Sequence, residues 1–192
     1  GGINFLEEWL PDYAPTGLLH AHLAWHLALL KLESGDIDSV MALYEKSIGP
    51  AVSQAPPILV ISDGASLFWR LRLLDARAQP PVSELTDYIH EFLSHATHPF
   101  IDVHCVMVAA LANDQSLFEK RTAELEKMLS EGKLAAGDLI SDLCRILQAF
   151  ALDNYKQVIG ILSSRLQDVV CFGGSKAQRE VFEDTLIVAY LR

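Results

Sequence analysis

Apolar residues recur along this chain at steps of three and four, the period of one face of an α-helix. Residues 20–50, HAHLAWHLALLKLESGDIDSVMALYEKSIGP, set the pattern. Leu18, His22, Trp25, Leu29 and Leu32 fall on one face of a first helix. Ile37, Val40, Met41, Tyr44 and Ile48 fall on one face of a second. Between them, Gly35 is placed to end the first helix in a left-handed conformation, and Asp36 to cap the free N–H groups of the next. The stretch is an antiparallel helical hairpin, closed by Gly49-Pro50.

The rest of the chain divides in the same way. Residues 4–10 read as a short helix with Phe5 and Trp9 one turn apart, ended by the Pro11 to Pro15 break. A helix over 58–74 is broken at Asp75-Ala76 and Pro80-Pro81, and Ser83 caps a partner running to about His95. A third pair covers 100–111 and 116–129, turning near Asn113-Asp114, with Glu119, Lys120, Arg121, Glu124, Glu126 and Lys127 on the wet side of its second helix. A fourth covers 134–152 and 155–170, turning at Asp153-Asn154. A last helix starts near Lys176. The turn points Asp36, Asp75, Asp114 and Asn154 lie 39, 39 and 40 residues apart. A near-constant period of this size marks stacked hairpins, each unable to bury its apolar face alone.

Composition agrees with an all-α chain. The 192 residues are 51% hydrophobic and only 8% aromatic, with Gly and Pro gathered at the breaks. A formal net charge of -10 without any basic cluster argues against nucleic acid as a partner. Apolar runs are interrupted by His or Asp before reaching the length of a bilayer span, so no membrane partner is expected. Cys105, Cys144 and Cys171 are too far apart for a zinc knuckle or a CxxC motif and read as reduced, buried thiols of a cytoplasmic protein.

The candidate chemistry lies in polar residues on apolar helices. His22 and His26 are one turn apart and could share a metal ion with a third ligand, whereas His20 is about 200° round the helix from His22. Satisfied buried imidazoles are the simpler account, and no metal or other cofactor is called for. Asp63 and His104 cost free energy where they sit unless paired. With Trp69, Arg70 and Asp102 they compose a structural network, Arg70 holding a carboxylate, or else a ligand site. An Asp63/His104 acid/base pair would make the chain an enzyme, possible with metal assistance, but GxSxG, HExxH and Gly-rich phosphate loops are all absent. Ser175 and Gln178 have capping-box spacing, and the Gly173-Gly174 break beside Lys176 and Arg179 is the alternative anion site. Val181, Phe182, Leu186, Ile187, Val188, Tyr190 and Leu191 spread over too broad an arc for a solenoid cap, which suggests a partner or a homodimer through apolar terminal helices.

ALLKLESGDIDSVMALYEKSIGP follows the order of a tetratricopeptide repeat, although the period here exceeds the usual value of about 34. The strings HxHxxWHLAL at 20–29, DGASLFWRL at 63–71, FxDxH at 100–104 and GGSKAQREVF at 173–182 together resemble the tetratricopeptide repeat protein 38 family. The resemblance implies a divergent helical-repeat protein, with no settled activity, from which an N-terminal helical half is missing. It places His20, His22, Trp25, His26, Asp63, Trp69, Arg70, Asp102, His104, Gln178 and Arg179 at the family's characteristic positions. The expected fold is a right-handed α–α superhelix, a TPR-like solenoid forming one domain over 1–192, the C-terminal part of a longer protein. Its hairpins cover about 16–48, 57–97, 99–131 and 134–171, with a final helix over about 175–192. The expected function is a scaffold binding a protein, peptide or small ligand in a concave groove, through His22, His26, Asp63, Trp69, Arg70, Asp102, His104, Gln178 and Arg179.

Overall fold

The structure, a computed structural model, describes residues 1–74 and 80–192. Among these it is all-α, with 76% helix and no strand. Ten helices follow one another: α1 (Gly2–Trp9), α2 (His20–Glu33), α3 (Ile37–Leu43), α4 (Pro57–Leu73), α5 (Val82–Phe92), α6 (Pro99–Ala112), α7 (Gln115–Ser130), α8 (Leu139–Ala151), α9 (Tyr155–Arg165) and α10 (Lys176–Leu191). A π turn over Tyr44–Ile48 extends α3, and a 3-10 segment, Leu166–Phe172, follows α9.

Three turns share one local construction. Gly35, Asn113 and Asp153 are left-handed, at φ 77°, 52° and 55°. The next residue in each case sends its N–H back to the helix just ended: Asp36 to Lys31 O at 3.0 Å, Asp114 to Ala109 O at 2.9 Å, and Asn154 to Ala149 O at 2.8 Å. The side chain of that same residue then caps the following helix, Asp36 accepting from Ser39 N at 3.2 Å, Asp114 from Leu117 N at 2.9 Å and Asn154 from Gln157 N at 3.3 Å. The fourth expected turn, at Asp75-Ala76, lies outside the described residues.

Several boundaries differ from the periodicity. Helix α8 begins at Leu139 rather than 134, because Ala136 and Gly137 are left-handed at φ 65° and 57°. Helix α5 begins at Val82 and stops at Phe92 instead of near His95. The backbone just beyond it is captured by side chains: Leu93 O by Arg121, Ala96 N by Glu124, and Thr97 N and His98 N by Asp102. Helix α9 gives way to the 3-10 segment at Leu166, short of 170. The buried stripe of α2 runs through Ala21, Trp25, Ala28 and Leu32, while Leu18 precedes the helix and is 60% exposed.

The chain forms two compact units, Gly1–Phe92 and Leu93–Arg192. In the first, α2 packs on α1, α3 and α4, and α4 on α5. Trp25, Tyr44, Phe68 and Trp69 fill this core. In the second, α6 packs on α7 and α8, and α9 on α8 and α10. Phe100, Phe172 and Phe182 form its aromatic cluster, the ring centroids 5.1 and 5.7 Å apart along the series. Val181 and Phe182 of α10 are sealed here, leaving Ile187, Tyr190 and Leu191 exposed at its end. Cys105 and Cys144 are buried, which pushes both thiols up to about 12, but Cys171 is exposed, contrary to its apolar setting in the sequence. No helix among the described residues is long and apolar enough to cross a membrane.

Candidate functional site

In the first unit, α2 and α4 bring His22 to Asp63. The imidazole Nδ1 donates to the carboxylate, 3.1 and 3.0 Å from its two oxygens. This hydrogen bond raises the pKa of His22 above its ordinary value, against the opposing effect of burial. His26 meets His22 edge to face at 4.8 Å, and burial lowers its pKa, helped by the charge on His22. Trp25 between them is sealed, its indole N–H donating to Ser66 Oγ at 3.1 Å. Arg70 lies 6.0 Å from the centre of the Trp25 ring and donates to Ser66 O. Trp69 is 1% exposed and belongs to the core. The two histidines weighed as a metal pair make different contacts, His22 with a carboxylate and His26 edge-on with the rings of His22 and Trp25. Among the described residues no group of three or more His, Cys, Asp or Glu is placed to hold a metal ion.

In the second unit Asp102 is fully buried, and Arg121 Nη1 donates to it at 2.7 Å. The N–H groups of Thr97 and His98 donate to the other oxygen at 2.9 and 2.8 Å. Arg121, expected on the wet side of α7, is only 2% exposed. Periodicity put it in a run of surface charges, and only the fold shows the carboxylate and the Leu93 carbonyl it reaches. His104 donates from Nδ1 to Phe100 O at 2.7 Å and lies between the rings of Phe100 and Phe172, so that nitrogen is not available as a base. Gln178 is the third residue of α10 in a capping box with the N-cap Ser175: Ser175 Oγ accepts from its N–H, and its Oε1 accepts from Ser175 N at 2.8 Å. Arg179 donates to Gly174 O. Gly174 sits at φ 75°, and a Cβ there would come within 2.5 Å of the Phe100 ring. Local helix capping thus accounts for the polar residues of this break.

A concave feature of the first unit lies elsewhere. A groove of about 530 Å³ runs between α2, α3 and the N-terminal segment, a size within the usual range of ligand sites. Leu10, Leu27, Ala42 and Leu43 make its apolar surface. Tyr13 forms an aromatic wall, stacked between Trp9 and His20. Glu7, Lys31, Ser39 and Lys46 supply polar groups. Lys31 donates to Glu7 at 2.6 Å and is 3.8 Å from Asp36, and the bond to Glu7 raises its pKa. None of the nine site residues expected from the sequence lines this groove. One signal for it was present: Lys31 and Lys46 are the only lysines before Lys120.

No protein-family model matches the chain, and no solved structure matches it.

Proposed function

We propose that this chain is a TPR-like helical-repeat binding module of the tetratricopeptide repeat protein 38 type, with a protein or peptide held against its first hairpin. The observation that carries the reading is the groove of about 530 Å³ between α2, α3 and the N-terminal segment, apolar at Tyr13 and Leu43 and polar at its lysines. The repeated turns at Asp36, Asp114 and Asn154 support a repeat architecture. The polar residues of the inner helices act as structural partners in this reading: His22 with Asp63, and Asp102 with Arg121. A cytoplasmic location is part of the proposal and accords with three free cysteines. Self-association through the exposed Ile187, Tyr190 and Leu191 is a subsidiary part.

Peptides selected from a random library against the intact chain provide the test. Ala42 is exposed and faces the groove, so Ala42→Trp fills the groove from a position that tolerates bulk. Selected peptides are expected to lose about tenfold or more in affinity for this variant, with its circular dichroism unchanged. Undiminished binding would remove the groove as the site.

A further inference from the structure

The groove carries a charge pattern that its host unit does not share. Residues 1–92 hold twelve acidic side chains against five Lys and Arg, and the whole chain is at -10. Yet the two lysines of that stretch, Lys31 and Lys46, line the same groove. Arg70, by contrast, is buried. Lys46 makes no ion pair among the described residues and is exposed, so the packing of the hairpin does not require its charge. Lys31 is bound by Glu7, which shows that the groove edge accepts a carboxylate 2.6 Å from an ammonium group.

The apolar surface adds a second requirement. Ala42 and Leu43 with the ring of Tyr13, over a floor closed by the buried Leu27, offer hydrophobic contact to a bulky side chain, which a small polar anion would leave uncovered. Ser39, Leu43 and Lys46 follow one another along a single face of α3 and its π extension. Their span is about 10 Å, roughly three residues of an extended peptide.

We propose that this groove takes an acidic peptide segment in which a bulky apolar residue is flanked by carboxylates. The apolar side chain packs against Ala42, Leu43 and Tyr13. One carboxylate accepts from Lys46, and a second competes with Glu7 for Lys31. The proposal rests on the reading of the chain as a peptide-binding module and goes beyond it by naming the charge of the partner.

Three sets of twelve-residue peptides with a central Trp-Leu, flanked by Glu, by Gln or by Lys, test it by fluorescence anisotropy on the intact chain. The Glu set is expected to bind about tenfold more tightly than the Gln set. Raising salt from about 0.05 to about 0.5 M is expected to erase most of that advantage. Lys46→Glu, a change at an exposed residue, is expected to reverse the order of the Glu and Lys sets while leaving the melting temperature unchanged. Equal binding of the Glu and Gln sets would overturn the acidic assignment and leave the groove as a peptide site. Failure of all three sets to bind would overturn both readings, and binding of octanoate in their place would assign the groove to a small acid.

Discussion

Asp63 in the first unit faces a histidine that is 17% exposed, whereas Asp102 in the second faces an arginine that is 2% exposed. Both carboxylates sit on inner helices, α4 and α6, where an unpaired charge is costly. The partners differ in what they can do. Arg121 is permanently charged, and together with two backbone N–H groups it binds Asp102 in a closed arrangement that also pins the segment from Leu93 to His98. His22 is a titratable partner whose pKa the Asp63 hydrogen bond raises above its ordinary value, so its pairing with Asp63 is conditional on pH. One pair fastens a linker to its helices, and the other responds to pH.

The largest effect is expected at the closed pair. Arg121→Leu leaves Asp102 buried without its counter-charge and should cost about 3–5 kcal/mol in urea unfolding. The double variant Asp102→Leu/Arg121→Leu should recover only part of that loss, because Thr97 N, His98 N and Leu93 O lose their side-chain partners with it. A single-variant cost below about 1 kcal/mol would erase the distinction between the two pairs.

Asp63→Asn should have a smaller and pH-dependent effect, about 1–3 kcal/mol at low pH. The folded pKa of His22 is raised above its ordinary value of 6.5. The stabilisation from its pairing is therefore complete below that value and is lost as pH rises through the folded pKa. His26, lowered by burial, contributes in the opposite sense below 6.5. Unfolding followed from pH 5 to pH 9 should show the cost of Asp63→Asn shrinking as pH rises; a cost independent of pH would show that His22 is not charged in the folded state. The smallest effect is expected at a turn: Asn154→Ala removes the cap on Gln157 N and should cost about 1 kcal/mol, with faster amide exchange confined to the first turn of α9.

The turns were legible because their determinants are local. A left-handed residue followed by an Asp or Asn with a free side-chain oxygen is written in two consecutive letters, and Gly35-Asp36, Asn113-Asp114 and Asp153-Asn154 all form the structure those letters imply. The capping box at Ser175 and Gln178 was legible for the same reason. Contacts decided at a distance were not: the backbone from Leu93 to His98, read from the pattern as a helix reaching about His95, is held by side chains of α6 and α7.

Polar residues on apolar helices were recognisable as needing partners, yet the partners were not. Nothing near Asp102 in the chain marks Arg121, nineteen residues on and set among surface charges, as the one that turns inward. The groove was hidden for the same reason, since its surface is assembled from the N-terminal segment, α2 and α3. The sequence alone therefore determined the helical content and the places where the chain reverses, because hydrogen bonds a few residues long set both. Tertiary structure alone decided which charges are buried and where the chain leaves a concavity, because both depend on which helix faces meet.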